Sequence, residues 1–383
     1  MSAADPIVIV GSGHAGYTLA RELRKLDEAT PVHIVTRDDG SAYYKPNLSK
    51  ALAMGKAPGE LVQQPAEQAA EAVKATLHPH STVESIDPEA HEIRFGGQTL
   101  RYASLVLATG AAPIRLQALG PDATSVNSLD DYRIFHDRLG ENTEILIAGA
   151  GLIGCEFAND LAAARHRVSV IDLADWPLSR LLPEPQGRAL QAGLEDLGVR
   201  FHFGRSIERV EGRRAHLDDG SELDFELLLS AIGLKPDTHL AQAAGLECGR
   251  GIRVDDHFAT SAPDIYALGD CVDVPGDATS LPMPYVLPIA HAARALAKTL
   301  SGEPTRASLP AMPVIVKTPA CPTLVCPPLV AEGAWQVSGE APDLEAIFVA
   351  DDGRETGFAL TGAATKKRGE YTKRVPPVLA AKD

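Results

Sequence analysis

Ile7-Val8-Ile9-Val10-Gly11-Ser12-Gly13-His14-Ala15-Gly16 decides the fold. An aliphatic run passes through G-x-G-x-x-G into a stretch whose apolar residues, Ala15, Leu19, Leu23 and Leu26, recur at helical spacing. The pattern returns at Ile145-Leu146-Ile147-Ala148-Gly149-Ala150-Gly151-Leu152-Ile153-Gly154, with Ile153, Phe157 and Leu161 on the following helix. A second strand-like run follows each copy, Val32 to Val35 and Val168 to Ile171. One such fingerprint is a weak signal, but two in the same strand, turn and helix context predict two βαβ units opening two doubly wound dinucleotide-binding folds.

The glycines carry the chemistry. The first permits a tight turn, the second lets backbone approach a pyrophosphate, and the third lets helix and strand pack closely. Unpaired N–H groups at the helix N-terminus then favour the anion. In the second unit Asp172 follows Ile171 directly, where a carboxylate accepts from both adenosine ribose hydroxyls and repels a 2′-phosphate. No arginine stands beside it in Leu173-Ala174-Asp175-Trp176, so NADH is expected rather than NADPH. In the first unit the equivalent position is Thr36, followed by Arg37, Asp38 and Asp39. The threonine hydroxyl can make one ribose bond, and Asp38 can reach the sugar from the loop.

Three later runs set the domain order. Leu105-Val106-Leu107-Ala108-Thr109-Gly110 closes the first segment and Leu227-Leu228-Leu229-Ser230-Ala231-Ile232-Gly233 the second, while Ile265-Tyr266-Ala267-Leu268-Gly269-Asp270 lies beyond both. One domain is therefore expected to interrupt the other. From about Leu309 the prolines 310, 313, 319, 322, 327 and 328 break the pattern, pointing to a smaller α+β third domain. The expected limits are 1–112 and 239–308 for the first fold, 113–238 for the inserted one, and 309–383 for the last.

Composition narrows the rest. The 383 residues are 45% apolar and 23% charged, ordinary globular values, and no stretch approaches the roughly 18 consecutive apolar residues of a membrane span. A formal net charge of −15 disfavours nucleic acid and anionic membranes as partners. Cys155, Cys248, Cys271, Cys321 and Cys326 are odd in number and lack metal-site spacing, so reduced thiols and a cytoplasmic location are expected, with no metal. The N-terminus has neither the basic region nor the longer apolar run of a signal peptide.

The ordered set from residue 7 to about 300 resembles the FAD-dependent pyridine-nucleotide reductases, the glutathione-reductase-like superfamily with an NAD domain inserted in an FAD domain. The resemblance implies that Gly11, Ser12, Gly13, His14, Ala15, Gly16, Thr36, Val83, Thr109, Gly110, Gly269 and Asp270 hold FAD. Gly149, Gly151, Leu152, Ile153, Gly154, Asp172 and Gly233 would hold NADH. The disulfide-reducing members carry a cysteine pair beneath the flavin. Here that segment reads Ser41-Ala42-Tyr43-Tyr44-Lys45-Pro46-Asn47-Leu48-Ser49-Lys50 and is similar to the Y-x-[KR]-P-x-L-S stretch of ferredoxin and rubredoxin reductases. Val314-Ile315-Val316-Lys317-Thr318-Pro319-Ala320-Cys321-Pro322 and Ala359-Leu360-Thr361-Gly362-Ala363 resemble bacterial rubredoxin–NAD reductases more closely still.

By the same resemblance Lys45, Pro46 and Lys317 lie near the isoalloxazine, where the ammonium groups would stabilise reduced flavin, with Lys50 a lesser candidate. Glu156 faces the flavin and nicotinamide region, to pair with a lysine or hold the carboxamide. The run Pro284 to Arg294 is similar to the helix whose N-terminus points at the flavin pyrimidine ring, with His291 a packing or surface histidine. Without a dithiol, electrons must leave from the flavin itself. The implied activity is an NADH-dependent FAD oxidoreductase passing electrons one at a time to rubredoxin and feeding an alkane hydroxylase system. A ferredoxin reductase of an oxygenase system and an NADH-sensing flavoprotein are the alternatives. Lys366, Lys367, Arg368, Lys373 and Arg374 stand out in an acidic chain, either as a carrier-steering patch or as a solvated tail.

Overall fold

The strands that carry the glycine loops are short, β-branched and buried on both faces, the signature of a parallel sheet covered on each side. Val8, Ile9, Ile34, Leu105, Val106 and Leu107 are all inaccessible to solvent. Burying each such side chain contributes about 1.5–3 kcal/mol before conformational entropy is subtracted. The computed structural model describes residues 5–274, 281–282 and 286–380.

These strands form a five-stranded parallel sheet in the order Ile265–Ala267, Ser104–Leu107, Ile7–Val10, Val32–Val35, Ala75–His78. A second, four-stranded parallel sheet runs Arg200–Phe203, Arg167–Asp172, Glu144–Ala148, Leu227–Ser230. The strand Ile265–Ala267 returns to the first sheet after the second has been completed. Each sheet is accompanied by a three-stranded antiparallel meander, Val83–Asp87 through Gln98–Arg101 in one case and Ile207–Glu211 through Glu222–Asp224 in the other.

Two crossing strands join the folds. Ala111–Pro113 pairs antiparallel with Leu234–Pro236, and the seam is fastened beside it by Thr109 Oγ1 donating to Asp237 O (2.8 Å) and Asp237 N donating to Gly110 O (2.9 Å). The remaining chain forms an antiparallel sheet in the order Val314–Val316, Thr323–Cys326, Glu355–Thr361, Asp343–Ala350, Gly333–Glu340. The architecture is thus α/β, two doubly wound dinucleotide-binding folds and a small α+β C-terminal unit.

Some sequence expectations need correction. Leu26 is 53% exposed because helix His14–Arg24 ends before it, Arg24 turning to bond the carbonyls of Val73, Asp27 and Thr30. Ile153 is 42% exposed, since the first turn of helix Leu152–Ala163 stands at the mouth of the glycine loop. The basic cluster is no loose tail. Lys366, Lys367 and Arg368 lie on a 3₁₀ turn, Gly362–Lys367, and helix Arg368–Thr372, Lys373 and Arg374 follow directly, and Lys367 pairs with Glu345 and Arg374 with Glu355. Of the run expected to form the pyrimidine-facing helix, Pro284 and Tyr285 lie outside the described residues, and helix Val286–Leu300 follows them. His291 is partly buried on that helix, and burial together with Arg294 lowers its pKa. Among the described residues, no helix is long and apolar enough to cross a membrane.

Candidate functional site

The two glycine loops are built alike. Gly11 has φ +113° and Gly149 φ +106°, conformations that side chains rarely adopt. A Cβ on Gly11 would strike the Ala108 carbonyl oxygen, and one on Gly149 would come within 2.6 Å of the Ala231 carbonyl oxygen. A Cβ on Gly16 or Gly154 would strike the carbonyl oxygen of the first glycine in its own loop. The middle glycines differ, for a Cβ on Gly13 or Gly151 would meet nothing within 4 Å. Packing therefore accounts for the outer glycines, whereas the middle pair keeps a surface open. Gly13 and Gly151 are also the N-caps of their helices, with no side-chain cap and no acidic residue in the first turn. Uncapped N–H groups beside an open cradle fit a pyrophosphate at each loop.

The sugar ends are next to these cradles. Asp172 accepts from Ala150 N at 2.6 Å and Ala174 N at 2.8 Å, so it fixes the loop from the strand end. In the first fold Thr36 is buried and Asp38 reaches back from the loop. Asp38 Oδ1 accepts from Ser12 Oγ (2.7 Å), Thr36 Oγ1 (2.6 Å) and Gly40 N (3.0 Å), putting a carboxylate under the glycine loop without one at the strand end. His80 N donates to Asp38 O and Ser81 N to Thr36 O, which draws the start of strand Val83–Asp87, and with it buried Val83, alongside.

Gly269, φ +86°, lets its backbone approach helix His14–Arg24 so closely that a Cβ would lie 2.9 Å from that of Ala15. Asp270 follows at once in the chain. His14, in that helix's first turn, meets the Tyr44 ring edge-on at 5.8 Å. Lys45 comes from the 3₁₀ turn Lys45–Lys50, which Pro46 stiffens at its second position. Its Nζ donates to Asn127 Oδ1 (2.7 Å), and Asn127 Nδ2 donates to Ala111 O (2.8 Å). Burial pushes the Lys45 pKa down, against the attraction of Asp270 and Asp131. Burial pushes the Asp270 carboxyl up, with Lys45 opposing.

Glu156, 3% exposed, is the meeting point of three segments. The Lys317 ammonium pairs with its Oε2, Ser49 Oγ donates to the same oxygen at 2.6 Å, and Lys317 N donates to Oε1 at 3.1 Å. One role expected for Glu156 was to pair with a lysine, and that lysine is Lys317. Lys45 and Lys317 thus stand in separate clusters linked by the Lys45–Lys50 turn. Gly110, φ +72°, and Gly233, φ +124°, mark the crossing between the folds. All five cysteines are unpaired, with Cys155, Cys271, Cys321 and Cys326 buried, and burial raises the pKa of each of these four.

Sequence reading missed Asn127, Ser49, Asn159 and Asp160. Asn127 had a faint signal, because Ser128 and Asp131 after it form a capping box that fixes the start of helix Leu129–Asp137.

Two glycine cradles on separate parallel sheets, with an antiparallel crossing and a lysine–glutamate cluster between them, define a two-dinucleotide oxidoreductase. The chain belongs to the pyridine nucleotide-disulphide oxidoreductase family, whose sequence profile matches residues 5–295, and residues 306–375 match the rubredoxin binding C-terminal domain. It is 43% identical to a rubredoxin-NAD(+) reductase of Alcanivorax borkumensis over 98% of this chain and 99% of that one. It is 40% identical to a nitric oxide reductase FlRd-NAD(+) reductase of Aeromonas salmonicida, over 93% and 92% respectively. Among solved structures it is similar to the covalent putidaredoxin reductase–putidaredoxin complex, with TM-score 0.89 and 25% identity over 98% of this chain and 94% of that one.

Proposed function

We propose that this protein is an NADH-dependent FAD oxidoreductase that reduces rubredoxin one electron at a time. The observation that carries the reading is the Glu156 junction. It joins the helix of the second glycine loop to the segment that replaces a cysteine pair and to the first strand of the C-terminal sheet, within the stretch that matches the rubredoxin binding domain. FAD, when bound, accepts a hydride and releases its electrons singly.

The chain's residues divide the work around it. The Gly11–Gly16 loop and the Asp38, Ser12 and Thr36 network hold the FAD pyrophosphate and ribose, with Val83, Thr109, Gly110, Gly269 and Asp270 along the rest. The Gly149–Gly154 loop and Asp172 hold NADH, with Gly233 at the crossing. Lys45, bonded to Asn127, and Lys317, anchored on Glu156, place positive charge where reduced flavin gains negative charge. We place the domain limits at 112, 238 and 308, in line with the return of strand Ile265–Ala267 to the first sheet. In this reading the reduced rubredoxin supplies an alkane hydroxylase, and the five unpaired thiols suit the cytoplasm. The test is anaerobic reduction of the yellow protein by NADH, followed by side-by-side addition of rubredoxin, a [2Fe–2S] ferredoxin and a quinone. Fast bleaching of rubredoxin alone supports the reading, and preference for the ferredoxin refutes it.

A further inference from the structure

Helix Leu152–Ala163, which opens at the second glycine loop, carries Glu156, Asn159 and Asp160 at spacings of three and four, hence on one face. Their exposures are 3%, 4% and 2%. Three buried polar side chains in succession call for partners, and each has them on segments distant in sequence. Asn159 Oδ1 accepts from Ala320 N at 3.1 Å. Asp160 accepts from Ala53 N at 2.8 Å and Leu52 N at 3.1 Å. These are the two segments that deliver the site's side chains. Leu52 and Ala53 end the turn that bears Lys45 and Ser49, and Ala320 closes the turn that begins at Lys317. The latter turn is tightened by Thr318 Oγ1 and Cys321 N, each bonded to the other's residue at 3.0 Å.

Apolar side chains would pack this helix face without the desolvation that buried Asn and Asp incur, a cost visible in the raised pKa of Asp160. Backbone N–H groups are also fixed points, so an acceptor placed against them sets the register of a whole turn. We propose that Asn159 and Asp160 are positioning residues for electron transfer, holding the Lys317 and Lys45–Ser49 segments at a set distance from the NADH loop so that the Glu156 junction closes correctly. This rests on the proposed function, because it assigns the geometry of that same site.

The test uses the FAD-loaded full chain with Asn159→Leu, which keeps size and removes the acceptor, and Asn159→Asp, which keeps Oδ1. Misplacement of reacting groups by about 1 Å costs up to about a hundred-fold in rate. Asn159→Leu is expected to lower kcat with rubredoxin by about ten-fold, leave KM for NADH within about two-fold, shift the flavin midpoint potential and speed amide exchange in residues 317–321. Asn159→Asp is expected to restore kcat to within about two-fold of the natural chain. A lowered melting temperature with kcat and potential unchanged would reduce Asn159 to a structural role and overturn the proposal, as would an Asn159→Asp variant as slow as the leucine one. Should Asn159→Leu fail to fold, Asp160→Asn removes one of the two acceptors at Leu52 and Ala53, and the same slow kcat with faster exchange at 52–53 is required. If the natural chain is reduced by NADH yet never reduces rubredoxin, the proposed function falls, and the potential and exchange readouts still decide this one.

Discussion

Lys317→Met tests how much the Glu156 junction holds together. The change leaves a carboxylate whose side chain is only 4% exposed with two partners, the Ser49 hydroxyl and the Lys317 amide. Deleting one member of a buried pair costs about 3–5 kcal/mol. The Lys317 side chain is itself 23% exposed and two hydrogen bonds survive, so the lower end applies, about 3 kcal/mol. Glu156→Gln is milder, about 1–2 kcal/mol, because the freed ammonium can turn to water. In the double variant no buried charge is stranded, so its loss should stay near that of Glu156→Gln, a coupling of about 2–3 kcal/mol. With each kcal/mol worth about 2–4 °C in domains of this size, melting at saturating FAD should fall by about 6–12 °C for Lys317→Met. The double variant should recover about one to two thirds of that. A double variant whose loss equals or exceeds the sum of the two single losses would refute the reasoning.

Three further outcomes follow from the geometry. Gly13→Val should give a folded but colourless protein, and Gly151→Val a folded yellow one that NADH cannot reduce, since added side chains there meet open space rather than protein; visible absorbance and NADH titration decide both, and a Gly13→Val protein that is fully yellow contradicts the cradle. Asp172→Ala should raise KM for NADH about ten-fold, the equivalent of about 1.4 kcal/mol, with flavin content unchanged. His33 and His78 stack with Nδ1 and Nε2 at 2.9 Å, and burial lowers both from the ordinary 6.5. The unfolded chain therefore takes up protons first as pH falls below about 6.5, and stability is lost as pH falls on through the lowered folded-state values. The melting temperature should drop over that range and His33→Gln should flatten the drop, whereas an unchanged slope would deny the pair this role.

What the sequence disclosed was local. The glycine spacing, the strand before it and Asp172 behind it are fixed by backbone geometry within one βαβ unit, and they read directly. The Glu156 junction joins residues 107 and 161 positions apart, and no local pattern announces such a contact. The family resemblance named Lys45, Glu156 and Lys317 and a lysine partner for Glu156, but not which lysine, nor Ser49, because hydrogen-bond geometry is set by where three segments dock. Thr36 showed that the usual strand-end acid was missing, and only the fold reveals that Asp38 turns back on Ser12 to put a carboxylate there. Leu26 failed because helical periodicity carries no stop signal, and where the helix ends Arg24 bonds the carbonyls of distant Val73 and Lys74.

The central claim is that a flavin without a neighbouring thiol pair converts one hydride into two single electrons for an iron protein. Anaerobic titration of the holoprotein with NADH in the presence of excess rubredoxin counts this directly. The account requires two rubredoxins reduced per NADH consumed, with the flavin returning to its oxidised spectrum. Full flavin reduction with no rubredoxin bleached, or consumption of NADH only when a two-electron acceptor is supplied, would contradict it.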